Sequence, residues 1–516
     1  MKIAAQPNVF RFTPLILGAI LALLLIFLAL PSETFSVWRY LGFAIVIIGV
    51  GYVFFSKNAP FAVLASIVFA GLFEGPLKYL GDSRNESIFA YLGRDLLLYA
   101  LILALLLGLI AGRGERRTSI KPPLLGIFIL FGLNLFIQFF NPAANSPLAS
   151  FINARLFWEM IPLYFIGYYF LRSVKVWRAL LITIAIVAAL NGGVAVYQSY
   201  IGPRAVASWG PGYYRQIYKI RETVTTESGE ETFRPLALGS DGGFSGAVGV
   251  AAIPMILALL NRRKQQETTL AKLPNSFYGV FLYILAIGAA LGIYASGSRS
   301  ALIIGLLTLA VTLVLLAPNV SKVRIILNIG ILSVLFVVAF QLVSVVAPSL
   351  GFRYDSIKSP ENLVETFNSE NRLAQVTIFP IDLAQRYPLG AGLDNLGVGA
   401  ALAAQIAGTY VRPQPENSEN NLNLSLLALG IPGTLLWLFM HLTFLVSGWR
   451  ALKKVDNQEL RTYMLSGFIL MSLMTVYWPF GSFIVFPQNL LFWLLPGMML
   501  GTAASLQDQP QSDADP

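Results

Sequence analysis

The segment Leu422–Val446 reads LNLSLLALGIPGTLLWLFMHLTFLV, and it decides the fold class. It contains no Asp, Glu, Lys or Arg. An α-helix needs only about 20 such residues to cross the hydrocarbon core of a bilayer. Comparable apolar runs recur from one end of the chain to the other. The sequence therefore predicts an all-α, polytopic transmembrane helix bundle.

The composition excludes several other classes of protein. Of the 516 residues, 56% are hydrophobic and 12% are charged, which is too little charge to coat a soluble protein of this length. The chain has no cysteine, which excludes disulfides and thiol nucleophiles, and its single histidine, His441, excludes a zinc site built on histidines. We expect no cofactor. The net charge of +10 is spread over short loops, so it does not indicate a nucleic-acid partner.

Fourteen apolar runs are candidate membrane spans, and together they predict one integral membrane domain over residues 1–504. Several are shorter than a straight span requires, and the weakest, Phe61–Phe73, is a candidate re-entrant segment. The fourteen runs are Pro14–Leu30, Tyr40–Phe55, Phe61–Phe73, Leu96–Ala111, Pro123–Phe140, Phe157–Leu171, Ala179–Gln198, Phe244–Leu260, Tyr278–Ala295, Ala301–Leu316, Ile325–Val346, Leu422–Val446, Tyr463–Tyr477 and Leu490–Ala504.

Basic residues set the predicted orientation of these spans. With both termini in the cytoplasm, five short inner loops each hold at least two Lys or Arg, which satisfies the positive-inside rule. Two long outer loops remain, residues 201–243 and 347–421, and residues 505–516 form a disordered cytoplasmic tail. Most outer basic residues are Arg, whose planar guanidinium suits phosphate and carboxylate groups. The chemistry is therefore expected on the outer face.

Two outer arginines are candidates for binding an anion. Arg299 lies in Ser296-Gly-Ser-Arg-Ser-Ala, where small neighbours leave room for an anion beside the guanidinium and the first N–H groups of the next helix. Arg372 lies on the polar side of Glu370–Arg386, a predicted amphipathic surface helix that is interrupted near Pro380. The alternatives are a snorkelling side chain for Arg299 and a solvated helix face for Arg372.

Glu419 directly precedes the long apolar run, within Pro415-Glu-Asn-Ser-Glu-Asn-Asn. Carboxylates and Asn favour helix N-termini, so one interpretation of this residue is helix capping. The other is a general base at the membrane surface beside arginines that bind phosphate. We interpret His441, deep in the same run, as a packed or hydrogen-bonded structural residue.

Taken in order, these motifs resemble the O-antigen ligase and O-antigen polymerase superfamily of membrane glycosyltransferases. The resemblance covers about Ala289–Leu436. It rests on Ser-Gly-Ser-Arg-Ser-Ala-Leu-Ile at 296–303, Arg372, Tyr-Pro-Leu-Gly-Ala-Gly-Leu-Asp-Asn at 387–395, and Glu419-Asn-Asn, eleven residues before Gly430-Ile-Pro-Gly. That family is similar to this chain in its number of spans and in its large outer loop with short surface helices.

The resemblance also implies a reaction and a set of site residues. The family takes glycan from an undecaprenyl-pyrophosphate carrier at the periplasmic face without a metal, and Arg299 and Arg372 would stabilise the departing pyrophosphate. Glu419 occupies the position of the family's histidine and would act as the catalytic base. The residues implied in substrate binding are Arg299, Arg372, Arg155, Arg234 and Asn420, with the Gly239–Gly249 segment lining the same groove.

The expected protein is therefore a multi-pass glycosyltransferase of the bacterial inner membrane, either a glycan polymerase or a ligase. Glu419 in place of histidine favours the polymerase. Its expected partners are the lipid-linked oligosaccharide donor, an acceptor glycan or lipid, a flippase and a chain-length regulator. One alternative is a transporter of inorganic carbon or another small anion, which should carry midplane charges or paired broken helices. A lipid-linked oligosaccharide flippase, with a charged central cavity, is another.

Overall fold

Helices make up most of the described chain in the computed structural model. Within the described residues there are fifteen α-helices and one two-stranded antiparallel sheet. The structure describes residues 35–80, 84–110, 122–144, 150, 153–154, 157, 160–219, 223–225, 231–239, 242–262, 275–316, 372–393, 420–481 and 488–507.

The elements are numbered here in chain order. The strands β1 (Thr223–Thr225) and β2 (Glu231–Phe233) pair antiparallel, with Thr223 opposite Phe233. The helices are α1 (Phe35–Ser56), α2 (Ala59–Leu72), α3 (Glu74–Leu80), α4 (Arg84–Ile110), α5 (Leu125–Phe139), α6 (Ile161–Phe170), α7 (Val174–Ala207), α8 (Pro211–Lys219), α9 (Phe244–Arg262), α10 (Asn275–Ala295), α11 (Arg299–Leu316), α12 (Arg372–Arg386), α13 (Asn421–Lys453), α14 (Gln458–Tyr477) and α15 (Gln488–Gln507).

Seven of the described helices, α7, α9, α10, α11, α13, α14 and α15, are long and apolar enough to cross a membrane. An eighth crossing results if α2 and α3, which are bent by 43° relative to each other, count as one span. The predicted all-α transmembrane bundle is thus confirmed, and the chain is a multi-pass membrane protein. The predicted spans Pro14–Leu30 and Ile325–Val346 lie outside the described residues. The count of fourteen spans and the orientation stay predictions.

Small residues bring the central helices together. The long helix α7 packs against α2, α9, α10 and α14. A Cβ atom added to Gly192 of α7 would lie 1.8 Å from the carbonyl oxygen of Gly288 on α10. A Cβ atom on Gly497 of α15 would likewise lie 2.0 Å from the carbonyl oxygen of Tyr164 on α6. Because lipid offers no hydrophobic drive for helix association, such close backbone packing supplies much of the attraction between spans.

The helix predicted over Glu370–Arg386 is confirmed from Arg372 onward, but its predicted interruption near Pro380 is wrong, and its position at the outer membrane surface stays a prediction. Helix α12 runs without a break from Arg372 to Arg386, with Pro380 inside it. Proline already has a helical φ, and packing of α12 on α13 offsets the loss of its one N–H donor. Leu383 of α12 is buried against Leu426 and Leu427, so the helix is docked on α13 by its apolar side.

The helix that contains Leu422–Val446 is broken at Gly430, where φ is 69° and ψ is −170°. A turn at residues 387–393 fills the break. The N–H of Ala391 donates to the carbonyl of Leu427 at 2.6 Å, and the N–H of Ile431 donates to the carbonyl of Pro388 at 2.9 Å. A helix end inside a membrane protein needs such partners, because its free carbonyl and N–H groups have no water to bind. The turn therefore replaces the helical hydrogen bonds that Gly430 removes.

A second long segment fills a second helix break. At the start of α3, just after the bend from α2, the N–H of Gly75 donates to the carbonyl of Leu238, in the segment that follows β2. The side chain of Asn191 on α7 bridges the two parts, since its Nδ2 donates to the carbonyl of Gly71 at 2.7 Å and its Oδ1 accepts from the N–H of Leu238 at 3.0 Å. Both predicted outer loops thus dock into the bundle by their backbones.

Candidate active site

The serine-rich turn before α11 is held by its own hydroxyl groups. Gly297 has a φ of 61°, which glycine adopts without strain. The Ser296 hydroxyl donates to the carbonyl of Ile293 at 2.7 Å and accepts from the N–H of Ser298 at 3.2 Å. Ser298 caps α11, because its Oγ accepts from the N–H of Ala301 at 3.3 Å. Arg299 is therefore the first residue of a capped helix, and its side chain is half-buried.

A cavity of about 110 Å³ lies beside this turn. Ser298, Ser300 and Tyr477 contribute hydroxyl-bearing side chains to its lining. The rest of the lining is apolar and comes from α9, α11, α14 and α15, with Val250, Ile304, Leu470, Leu473, Met474 and Leu491 among its residues. The cavity therefore presents hydroxyl groups beside the positive end of α11 and hydrocarbon elsewhere.

A glycine-rich segment at the start of α9 packs directly against the Arg299 turn. A Cβ atom on Gly246 would lie 2.6 Å from the Ser296 hydroxyl oxygen and 2.9 Å from the Ala301 Cβ. Gly243 and Ala247 line the same cavity as Ser298. Glycine is favoured at position 246 because a Cβ atom there would overlap the side chains of Ser296 and Ala301.

The start of α13 is a buried cluster of amide side chains. Asn420 caps the helix, since its Oδ1 accepts from the N–H of Asn423 at 2.8 Å. The side-chain amide nitrogens of Asn420 and Asn423 both donate to the carbonyl of Gln375 on α12, at 3.2 and 2.9 Å. Asn420 is 1% exposed and Asn423 is fully buried. These bonds fix the start of α13 against Gln375, which lies one helical turn after Arg372 on α12.

The end of α14 joins the two regions. Tyr477, at the last position of α14, lines the cavity beside Ser298 and Ser300. Its carbonyl accepts from the N–H of Gly481 at 3.1 Å, and the carbonyl of Gly481 accepts from the N–H of Asn421 at 3.0 Å. The starts of α11 and α13 and the end of α14 therefore lie at one end of the bundle.

The structure describes the predicted site residues to different extents. Arg299 is described in full, and Arg234 follows β2 half-buried, with its Nε inaccessible to solvent and without a hydrogen-bond partner among the described residues. Arg372 is the first residue of α12, but only its backbone is described. Glu419 and Arg155 lie outside the described residues, although Glu419 is covalently next to Asn420.

Three amide residues at this end were missed by the sequence interpretation. Gln138 of α5 donates from Nε2 to the carbonyls of Leu389 at 2.8 Å and Leu429 at 3.4 Å. Asn141 donates to the carbonyl of Gly390 at 2.9 Å, and Asn153 donates to the carbonyl of Leu393 at 2.8 Å. The available signal was the position of Gln138 in the otherwise apolar run Pro123–Phe140, where an amide needs partners.

The single histidine packs against the end of α14, and both of its ring nitrogens are engaged. The Nε1–H of Trp437 donates to Nε2 of His441 at 2.9 Å, so Nδ1 of His441 carries the proton, which faces Thr475 Oγ1 at 3.1 Å. The interpretation of His441 as a packed, hydrogen-bonded residue is confirmed. Among the described residues, no group of three or more His, Cys, Asp or Glu side chains is placed to hold a metal ion.

The long apolar helices define the protein as a multi-pass membrane protein. Its candidate site, with the Arg299 turn, lies at one end of the helix bundle. Residues 281–438 match the family model of the O-antigen ligases, which confirms the resemblance to the O-antigen ligase and polymerase family and contains its Ala289–Leu436 core. The match spans most of α10, all of α11 and α12, and the first half of α13. It supports a glycan-processing function of the O-antigen ligase kind. No curated protein sequence matches the chain.

Proposed function

We propose that this protein is a metal-independent glycosyltransferase of the bacterial inner membrane that acts at the periplasmic face. It transfers a glycan from a polyprenyl-pyrophosphate carrier to an acceptor glycan or lipid. The observation that carries the proposal is that the Arg299 turn and the start of α13, both inside the segment that matches the O-antigen ligases, lie with the cavity at one end of the bundle.

Arg299 and Arg372 bind the pyrophosphate of the donor. Their guanidinium groups and the first N–H groups of α11 offset the negative charge that grows on the leaving group. Arg234 and Arg155 are further contacts proposed for the donor or its glycan. The apolar lining beside Ser298 takes the first isoprene units of the carrier.

Glu419 is the proposed catalytic base. It takes the proton of an acceptor hydroxyl as that oxygen forms a bond to the anomeric carbon of the donor sugar. The bond from the same carbon to the pyrophosphate oxygen breaks, and the lipid pyrophosphate leaves with the electron pair. Asn420, whose side-chain groups cap α13 and bind Gln375, holds Glu419 at the start of α13.

A polymerase is favoured over a ligase because a carboxylate takes the place of the family's histidine. The acceptor is then a second lipid-linked oligosaccharide, and a flippase and a chain-length regulator are the expected partners in the membrane. The transporter alternative draws no support from His441, because both of its ring nitrogens are engaged by Trp437 and Thr475.

The test replaces Arg299 with Gln, Arg372 with Gln and Glu419 with Gln, one at a time, in the native host. Each variant should lose long polymer and accumulate lipid-linked repeat units, while the amount of protein in the membrane stays normal. Arg386→Gln is the matched control, because this exposed arginine pairs with Asp382 on the surface of α12. Normal polymer in all three site variants would sink the assignment, whereas loss of small-anion uptake without loss of polymer would favour the transporter.

A further inference from the structure

The break in α13 leaves main-chain groups that need partners, and α5 supplies one of them. In an unbroken helix the carbonyl of Leu429 would accept from the N–H of residue 433, but the backbone of Gly430 is not helical. Gln138 is 4% exposed and donates to that carbonyl. The same Nε2 donates to the carbonyl of Leu389 in the turn that fills the break.

Gln138 is itself held in place by a neighbour on its own side. Its Oε1 accepts from Nδ2 of Asn141 at 2.8 Å, while Asn141 also donates to the carbonyl of Gly390 and accepts from the N–H of Ala143. The side-chain oxygen and nitrogen of Gln138 are therefore both used. The two amides form a clamp, defined as Gln138 and Asn141, that joins α5 to the turn in the helix break and to Leu429, the last residue before the break.

The clamp acts on both elements that carry the proposed chemistry. The turn at residues 387–393 directly continues α12, whose first residue is Arg372. The first half of α13, between Asn421 and Gly430, begins two residues after Glu419. Because Gln138 binds Leu389 at the end of one element and Leu429 at the end of the other, it fixes how the two lie relative to each other.

We propose that Gln138 and Asn141 are positioning residues for the transfer reaction, which set the placement of α12, with Arg372 as its first residue, relative to the first half of α13 through the turn that fills the α13 break. This inference rests on the proposed function. A misplacement of about 1 Å between reacting groups can reduce a rate on the order of 10²-fold. The clamp touches no substrate, so it changes the rate only through these two elements.

The experiment uses the full chain and its lack of cysteine, which lets two introduced cysteines carry spin labels without background. The labels are placed at Leu133→Cys on α5 and Gln385→Cys on α12, both exposed positions. Distances between them are measured in lipid nanodiscs. Gln138→Met, which keeps the length of the side chain and removes its donor, should broaden the distance distribution. It should also lower kcat/KM per folded molecule by about 10- to 100-fold, the loss expected when reacting groups are misplaced.

Asn191→Leu is the matched control, because Asn191 is also a buried amide that bridges a helix break and a loop. It should lower the thermal midpoint about as much as Gln138→Met but leave the α5–α12 distance narrow. If Gln138→Met fails to fold, the half-buried Asn141→Ala replaces it with the same expectation.

Two outcomes overturn the inference. One is a narrow distance distribution in the Gln138 and Asn141 variants, and the other is a broadened distribution with an unchanged kcat/KM. The spin-label distances do not depend on the reaction. Failure of the proposed function is separate, since it would show as full activity of the Arg299, Arg372 and Glu419 variants.

Discussion

Gly390 and Gly430 lie against each other so closely that a Cβ atom on Gly430 would come within 2.4 Å of the Gly390 nitrogen. Both have a positive φ, 89° for Gly390 and 69° for Gly430. The second long loop enters the bundle at this contact. It therefore couples the surface helix α12 to the interior of α13, and several expected outcomes depend on it.

Gly430→Ala should destabilise the protein. A non-glycine residue at this φ and ψ costs about 1–3 kcal/mol in backbone strain, and the contact with Gly390 adds to that. Thermal unfolding of the purified protein in detergent measures the loss. Gly132→Ala on α5 is the control, since its Cβ would meet no atom within 4 Å and alanine favours a helix. Equal thermal midpoints for the two variants would show that the contact does not constrain the fold.

Ser298 should separate helix capping from anion binding. Ser298→Ala removes the cap of α11 and should lower stability by about 1 kcal/mol. Ser298→Asn and Ser298→Asp both restore a capping oxygen, so both should restore the thermal midpoint. The aspartate, however, adds a negative charge beside the proposed pyrophosphate site and should abolish transfer, whereas the asparagine should retain it. Full activity of the aspartate variant would place the pyrophosphate elsewhere.

Asn420→Asp should weaken the contact between α12 and α13 without removing the cap. The aspartate retains the oxygen that accepts from the N–H of Asn423 but loses the amide that donates to the carbonyl of Gln375. The loss of one hydrogen bond costs about 0.5–1.5 kcal/mol, and the carboxylate that then faces the Gln375 carbonyl oxygen repels it. Faster amide hydrogen exchange at the start of α13 is the expected readout. Unchanged exchange would mean that Asn423 alone holds Gln375.

Glu459→Gln should lower stability without changing the rate per folded molecule. Glu459 pairs with Arg178 of α7 and accepts from the Tyr463 hydroxyl at 2.9 Å, at the start of α14. It lies 18 residues before Tyr477, roughly 27 Å along the helix from the site. Removing the charge leaves Arg178 without its ion-pair partner and should cost about 1–3 kcal/mol. A selective loss of kcat with normal stability would show that this end takes part in the reaction.

The sequence was sufficient to predict the class of fold, because an apolar run long enough to cross a bilayer is stable there only as an α-helix. Such a run must satisfy its backbone hydrogen bonds internally, and in a single segment only the helix does so. The match to the O-antigen ligases likewise follows motifs that can be read without coordinates, such as Arg299 in its serine-rich turn.

The sequence was insufficient for the contacts that hold the site together. Nothing local to Gln138 shows that its partners are Leu389 and Leu429, which lie 251 and 291 residues away. Pro380 gave the opposite difficulty, because a local rule predicted a break that packing of α12 on α13 overrides. Long-range contacts decide both cases, and a local pattern does not encode them.

For Leu422–Val446, the sequence by itself determined that the segment is a helical membrane span. Only the tertiary structure decided that it is two half-helices, broken at Gly430 and joined by the turn at residues 387–393. The physical reason is hydrogen-bond satisfaction. Glycine permits a break but does not cause one, and the break is stable only where the turn and Gln138 pair the main-chain groups it exposes.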